Sequence, residues 1–404
     1  MTWLKRITFL LLILVYFYLI FKFVRNTPYF YIALSTCLLL IGLSLRIKRS
    51  PNLKAVVFNL AFLALAFALS EAYLAGWLSV AAAPSGKQAA WMEGTYTQRE
   101  SYFTPDEIRG YTGAKNVKVT SKLYHGHELI YDVTYTTNRY GLRVSPHDLD
   151  NKKNLPIKNH QDVAFFGCSY MVGEGVKDNE TVAYLLEEKS QGKYLTYNFG
   201  FHGYGPHQML RVLETGLLDR VIQDKGPLLV IYWALTLHIE RAAGNYPYFV
   251  WDAQGPKYKL NSSGEVEYAG RFKDDSIIKL FIPVLNKSRV IDRSQIIPKI
   301  WGWPRNQQDI ELVVKIITKS KEIVADKYHG DFYVLLWSEK DNPDYDFMLA
   351  ELKRNQVKVI TTEEILGPYE EAITKYLLKG EGHPNQKANE KIADYLLKYL
   401  RPRG

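Results

Sequence analysis

Two short segments of this chain carry side chains able to act together on a carbonyl group. The first is Phe165-Phe166-Gly167-Cys168-Ser169-Tyr170-Met171-Val172-Gly173-Glu174-Gly175-Val176. Val163 to Phe166 is short and continuously apolar, the pattern of a strand buried on both faces of a parallel sheet. Gly167 breaks that strand and Ser169 follows at once. Such a turn lifts a hydroxyl out of the carboxyl edge of an open α/β sheet, where folds of this kind place their chemistry. The second segment is Gly380-Glu381-Gly382-His383-Pro384-Asn385, ahead of an amphipathic stretch from Gln386 to Leu400. A serine becomes a nucleophile when a base takes its proton, and a carboxylate orients the base. Ser169, His383 and Glu381 are the residue types for that task. Each segment also has a plainer reading: a turn with an incidental serine, and a surface histidine before a helix. Cys168 is a rival nucleophile, but strand alternation turns Ser169 outward and leaves Cys168 to fill a small pocket under the turn. Gly173 and Gly175 suggest a phosphate loop, yet no Gly-Lys-Ser/Thr follows them.

On these blocks the chain resembles the SGNH/GDSL hydrolase superfamily over about residues 160 to 400. The family's Gly-Asp-Ser block is Gly167-Cys168-Ser169 here. Its second block supplies a glycine whose N–H helps hold an oxyanion. The counterpart is Tyr197-Asn198-Phe199-Gly200-Phe201-His202-Gly203-Tyr204-Gly205-Pro206, in which Gly203 fits best by its distance from Asn198. The last block, an acid shortly before His-Pro, is Glu381 and His383. Three positions depart from the family. Cys168 replaces aspartate. Glu381 lies two residues before His383, whereas the family's acid often lies three before, a place held by Gly380. The Gly-x-Asn-Asp block has no counterpart after Leu228 to Trp233, where the chain reads Ala234-Leu235-Thr236-Leu237-His238-Ile239-Glu240-Arg241. Thr236 and His238 are candidates for the missing oxyanion donor, and His238 equally suits the capped start of a helix. Loss of one such donor costs about 10²- to 10³-fold in rate.

The resemblance implies a flavodoxin-like, three-layer α/β/α domain with a mostly parallel sheet. It implies that Ser169 attacks an ester carbonyl, that His383 moves the proton, that Glu381 orients His383, and that the N–H groups of Ser169 and Gly203 hold the oxyanion. No metal or organic cofactor is required. The implied substrate is an O-acyl ester, acetyl on a cell-envelope polysaccharide foremost, with a lipid ester as the other choice. Water and a sugar hydroxyl are both open as acceptors. A transferase of this type needs an acyl donor, commonly delivered by a partner membrane protein. The absent asparagine motivates a second expectation: a catalytically weak or inactive domain serving as a glycan-binding or scaffolding subunit of an envelope assembly.

The elements that must position these residues alternate as strands and helices, which argues a parallel sheet wrapped by helices. A helix over Glu180 to Lys189, capped by Asp178 or Asn179, precedes a strand over Tyr194 to Asn198. A helix near Gln208 to Gln223 and a strand over Leu228 to Trp233 follow. Residues 246–272 read as a hairpin inserted near the mouth of the site, turning at Asn261-Ser262-Ser263-Gly264. Helices over Ser288 to Lys299 and Gln308 to Tyr328 come next. They are followed by a strand Phe332 to Trp337, a helix Tyr345 to Asn355 and a strand Val357 to Thr361. Upstream, Val117 to Tyr124 and Leu129 to Thr137 alternate as two strands around His125-Gly126-His127-Glu128. That His pair lacks further ligands and suits an exposed turn. Asn138 to Arg143 reads as a turn that docks this region onto the sheet domain.

The first 83 residues differ in kind from the rest of this 404-residue chain. Ile7 to Val24, Tyr29 to Leu45 and Ala55 to Leu78 are apolar runs near the length that crosses a bilayer, about 20 residues. A cleaved signal peptide is disfavoured for the first, which has no small-residue cleavage site and precedes two more. Lys5, Arg6, Arg46, Lys48, Arg49 and Lys54 flank one side of these spans, and only Lys22 and Arg25 the other. The basic side faces the cytoplasm. Three spans then carry the remainder across a bacterial inner membrane, to a periplasmic or extracellular location. Glu71 falls toward the outer end of the third run, where an interfacial position is expected, with Tyr73 and Trp77 beside it. The sequence thus divides into an anchor (1–83), a linker with a small β module (84–160) and the hydrolase-like domain (161–404). Two cysteines, Cys37 and Cys168, imply no disulfide framework. A net charge of +9 without basic runs interleaved with aromatics gives no sign of nucleic-acid binding. It suits a surface facing anionic lipid or an acidic glycan.

Overall fold

The computed structural model describes residues 28–47, 50–74, 93–96, 102–125, 127–149, 160–223, 226–245, 248–275, 288 and 306–400. Two compact units result: residues 1–87 with 276–303, and residues 88–275 with 304–404. Residues 276–303, which the sequence reading placed in the hydrolase-like domain, therefore group with the apolar N-terminal unit. The expected span Ile7 to Val24, and the helix expected over Ser288 to Lys299 apart from Ser288 itself, lie outside the described residues.

The first unit contains α1 (Pro28–Arg46) and α2 (Pro51–Leu74). Each opens on proline, whose fixed φ and missing N–H suit a first helical position. Both are long and apolar enough to cross a membrane, so two such helices stand among the described residues where three runs were expected. Leu38, Leu39, Leu45, Phe62 and Leu63 point outward, while Ala33, Cys37, Ala61, Ala68 and Ala72 are buried. Small side chains on the inner faces let apolar helices approach closely. Glu71, expected at an interface, is 1 % exposed and accepts the Ser288 hydroxyl hydrogen bond. A buried carboxylate needs such a donor.

The second unit is a mixed α/β structure. It begins with β1 (Glu93–Tyr96), β2 (Phe103–Asp106), β3 (Gly110–Gly113), β4 (Lys118–His125) and β5 (Glu128–Thr136). These are antiparallel: β1, β4 and β5 form one sheet, and β2 and β3 a hairpin. His127 is exposed at the β4–β5 turn. Then come β6 (Gln161–Phe166), α3 (Ser169–Val172), α4 (Val182–Ser190), β7 (Tyr194–Asn198), α5 (Pro206–Thr215) and β8 (Leu229–Ala234). After α6 (Leu237–Ala243) and α7 (Tyr248–Trp251), β9 (Pro256–Leu260) and β10 (Val266–Arg271) form the expected hairpin. The chain closes through α8 (Gln307–Tyr328), β11 (Asp331–Leu336), α9 (Pro343–Arg354), β12 (Lys358–Thr361), α10 (Thr362–Leu366), α11 (Tyr369–Lys375) and α12 (Gln386–Tyr399).

The main sheet has the order β12-β11-β8-β6-β7, with every pair parallel. Successive side chains of a strand point to opposite faces, and β8 shows why its sequence is apolar throughout. Leu229, Ile231 and Trp233 join one core with Val182, Leu186, Ile392 and Leu396. Val230, Tyr232 and Ala234 join the other with Met209, Leu213, Val313, Ile317 and Met348. Burying each large apolar side chain contributes about 1.5–3 kcal/mol. Two faces covered by helices therefore hold β6 and β8 rigidly, and their carboxyl ends carry the site.

Helix bounds depart from the sequence expectation where caps decide them. The helix after Ser169 starts at Val182, because the Thr181 side chain, rather than Asp178 or Asn179, accepts the Tyr184 N–H. The helix expected to reach Gln223 ends at Thr215, where Gly216 takes a left-handed φ of 67°.

Candidate active site

The turn after β6 depends on Gly167. Its φ is +152°, and a Cβ there would lie 2.9 Å from Met171 Cβ and 3.1 Å from the Trp233 carbonyl. A side chain at 167 would push the turn away from β8. With glycine the chain turns at once, and Ser169 opens α3 with Cys168 buried beneath it. Neither cysteine forms a disulfide. The loop is then held from both sides. Asn198 at the end of β7 donates its side-chain amide to the Met171 carbonyl (2.9 Å), and Phe201 N–H bonds the Gly167 carbonyl (3.2 Å). Arg143, 2 % exposed, donates to the carbonyls of Val172 (2.8 Å), Gly173 and Val176 (2.6 Å), and to Asp178 (2.9 Å). The docking turn expected at 138–143 thus works through one guanidinium. Tyr102, Val119, Leu123, Tyr131, Val133 and Tyr135 pack with Val172, Phe201 and Tyr204, so the antiparallel strands back the loops that carry the site.

His383 arrives from the far end of the chain. Leu378 N–H bonds its carbonyl (2.7 Å), and Tyr170 O–H bonds the Gly382 carbonyl (2.7 Å). Asn385 caps α12 by accepting the Ala388 N–H (3.1 Å), which fixes where the loop must end. His383 Nε2 stands 2.7 Å from Ser169 Oγ, across 214 residues of sequence. Glu381 accepts from the His383 backbone N–H (2.9 Å) with one oxygen and from Nδ1–H with the other. The Glu381 side chain is 1 % exposed. A glutamate two residues away therefore reaches Nδ1, helped by turning back onto the histidine's own backbone. Glu174 approaches the other edge of the ring, with its carboxylate 3.6 Å from Nε2. His202 holds that carboxylate through Nδ1 (2.9 Å) and meets the Tyr102 hydroxyl through Nε2 (3.3 Å). Burial opposes protonation of His383, but the carboxylates of Glu381 and Glu174 outweigh it and hold the pKa above the ordinary imidazole value.

Ser169, Glu174, His202, Gly203, Leu235, Arg241, Trp251 and His383 line a cavity of about 460 Å³. The backbone N–H groups of Ser169 and Gly203 have no acceptor among the described residues. Gly203 has φ +77°, and a Cβ there would meet Trp251 Cη2 at 2.3 Å, so only glycine fits under that ring. Thr236 and His238 stand elsewhere. Thr236 Oγ1 donates to Glu339, and His238 is fully buried with Nδ1 2.6 Å from the Tyr232 hydroxyl. Burial, with Arg241 and His207 nearby, depresses the His238 pKa far below the usual imidazole range. The site therefore brings together Ser169, His383, Glu381 and Gly203, and leaves Thr236 and His238 out. Within the insertion expected at 246–272, the β9–β10 hairpin packs on α5, α6 and α8, while Trp251 lines the cavity. A larger cavity of about 630 Å³, between Thr104, Arg109, Tyr140 and Arg220, contains none of these groups.

Glu174, Glu381 and His383 have ligating atoms within 4.8 Å of one another, close enough for a metal ion. Both Glu381 oxygens already bond His383, however, and Nε2 faces the serine. The arrangement matches proton transfer. Glu174 and Arg241 were missed in the sequence. Glu174 shares the loop of Ser169, and Arg241 ends the segment Ala234 to Arg241, where the family's asparagine is expected. Residue type concealed both.

No family model matches the sequence, and no curated protein is similar to it. The solved structures that it resembles include a G-D-S-L family protein, a GDSL-like lipase, an esterase and an acyltransferase. One is a lipolytic protein of the G-D-S-L family from Desulfitobacterium hafniense, at 12% identity and a TM-score of 0.35, covering 60% of this chain and 100% of that one. A second is the psychrotrophic esterase EstA from Pseudoalteromonas, at 13% identity and a TM-score of 0.30, covering 60% and 95%. A third is the salicylyl-acyltransferase SsfX3 of a tetracycline biosynthetic pathway, at 13% identity and a TM-score of 0.32, covering 61% and 58%. The functional reading rests on this chain's own geometry.

Proposed function

We propose that this chain is a membrane-anchored serine esterase or acyltransferase of the SGNH type, acting on O-acyl esters of a cell-envelope polysaccharide. One observation carries the reading: the hydrogen-bonded line from Ser169 Oγ through His383 to Glu381. Ser169 Oγ bonds the ester carbonyl carbon as its proton passes to His383 Nε2. The N–H groups of Ser169 and Gly203 take the oxyanion charge. When the intermediate collapses, the ester C–O bond breaks and His383 returns the proton to the departing alcohol. Water or a sugar hydroxyl then attacks the acyl-serine, with His383 again as base. Glu381 keeps the Nδ1–H tautomer and stabilises the imidazolium formed in each step.

Membrane anchoring is supported by the outward apolar faces of α1 and α2. The asymmetry of basic residues around the apolar runs supports a cytoplasmic N-terminus and an active unit on the far side. In a transferase, the acyl group would come from a partner membrane protein. The test is acetate release from acetylated polysaccharide and p-nitrophenol release from p-nitrophenyl acetate by the detergent-solubilised full chain. Turnover that disappears in Ser169→Ala supports the reading. A folded wild-type protein that turns over neither, yet binds the glycan, supports the binding or scaffolding role instead.

A further inference from the structure

We propose that the catalytic cavity contains a subsite for a carboxylate on the substrate, built on Arg241, so that the acyl-bearing sugar is an acidic one. This rests on the hydrolase reading above and narrows it. Arg241 lies on α6 and is 8 % exposed. Among the described residues its one hydrogen bond runs from Nη1 to the Tyr204 carbonyl (2.8 Å), while Nε is buried without a partner. A guanidinium offers five N–H donors in a planar fork that matches a carboxylate. Buried charges in proteins are nearly always paired, because an unpaired one is costly. Here no described carboxylate hydrogen-bonds or ion-pairs with the guanidinium. Glu381 is bonded by His383, and Glu174 by His202. Asp252 accepts from His207 (3.2 Å) and Gln208 through Oδ2, and its Oδ1 is buried without a hydrogen-bond partner, Arg241 included. The rings of Tyr248 and Trp251 stand 5.7 and 5.9 Å from the Arg241 guanidinium carbon and supply only partial compensation.

The guanidinium, short of acceptors, lines the same cavity as Ser169, Gly203 and His383. Its tether, the Tyr204 carbonyl, belongs to the residue after Gly203. Trp251 covers Gly203 on one side and is 48% exposed, leaving an aromatic face free beside the guanidinium. An aromatic face for a sugar ring next to a fork for its carboxylate is the donor set that an acidic sugar requires. Ser169 and Gly203 already provide two N–H groups for the oxyanion, so Arg241 is assigned to the ground-state anion.

The test compares kcat/KM for acetyl release from an acetylated oligogalacturonate and from its carboxyl-reduced counterpart, which differ only in charge. The full-length protein should prefer the acidic substrate about ten- to a hundredfold, the range of a charge-assisted hydrogen bond. The preference should lie mainly in KM and weaken with added salt. Arg241→Gln should bring the ratio close to one, and Arg241→Lys should fall between. Without any substitution, galacturonate should inhibit competitively where galactose does not. An unchanged ratio in Arg241→Gln, with equal loss on both substrates, overturns the subsite, as does the absence of any wild-type preference. Should the wild-type protein hydrolyse neither substrate, the hydrolase reading fails by itself. Equilibrium binding of unacetylated oligogalacturonate then decides the subsite: binding that Arg241→Gln abolishes upholds it, and binding indifferent to Arg241 or absent overturns it.

Discussion

Glu381→Gln isolates the least conventional part of the site. Gln preserves the length that lets residue 381 reach both the His383 backbone N–H and Nδ1. It removes the charge and offers an amide that can present N–H instead of oxygen to Nδ1. Two consequences follow. First, the imidazolium formed in each transition state loses its buried counter-charge, and the ring loses its fixed tautomer. The equivalent loss in serine hydrolases is about 10⁴-fold in kcat. Glu174, whose carboxylate is 3.6 Å from Nε2, remains to compensate in part. The expected loss is therefore about 10³- to 10⁴-fold, or about 4–5.5 kcal/mol at about 1.36 kcal/mol per decade. Second, the acid limb of the pH profile moves. His383 is a base only when neutral, so kcat/KM rises as pH passes its pKa. Glu381 and Glu174 hold that pKa up against burial, so removing one carboxylate shifts the limb to lower pH. The assay is kcat/KM for p-nitrophenyl acetate from pH 5 to 9, about two units either side of neutrality, bracketing the ordinary imidazole range. Glu381→Asp keeps the charge but not the reach, and should lie between. A Glu381→Gln enzyme within about threefold of wild type, with its acid limb unmoved, would refute the reasoning that assigns Glu381 to His383.

Other substitutions test separate parts of the account. Gly203→Ala places a Cβ against Trp251 at a positive φ. It should lower kcat by about 10² or more and cost about 1–2 kcal/mol of stability, read from steady-state kinetics and a urea midpoint. Arg143→Ala removes a buried guanidinium that holds three carbonyls and Asp178. It should destabilise by about 3–5 kcal/mol, and an unchanged urea midpoint would contradict that role. Ser169→Ala combined with His383→Ala should lose no more activity than either change alone, because the two act as one unit. The fourth concerns pH and stability. Burial lowers the His147 pKa but its bond to Glu187 (2.8 Å) outweighs this and raises it above the ordinary value. The stabilisation is therefore complete below the unfolded pKa of about 6.5 and lost as pH rises through the folded value. The urea midpoint of wild type should fall over that window relative to His147→Gln, and parallel curves would show that the pair contributes nothing.

Much of this was legible in the sequence because the signals were local. The apolar run Val163 to Phe166, the break at Gly167, Ser169 after it and the acid-histidine pair Glu381 and His383 follow from sheet periodicity, turn chemistry and residue type, and the resemblance added Gly203. The strand over 229–234 was legible because both its faces are buried. Partners that depend on tertiary approach were not. Thr236 and His238 lie nearest the place of the expected asparagine, but the start of α6 turns them toward Glu339 and Tyr232. Arg241, further along that helix, reaches the cavity instead. Glu174 reads in sequence as a residue between two glycines, and only the folded loop sets it beside His383 and His202. Nor does sequence reveal that Ser288 belongs with the apolar helices, since its bond to Glu71 spans 217 positions.

The central claim is that Ser169 is a nucleophile activated by His383. Reaction of the full-length protein with a fluorophosphonate probe, followed by peptide mass spectrometry, tests it most directly. A single phosphonyl adduct on Ser169, formed in wild type and lost in His383→Ala while the protein stays folded, is the result expected. An adduct on Cys168 or on a different serine, or labelling of Ser169 that is indifferent to His383, would contradict it.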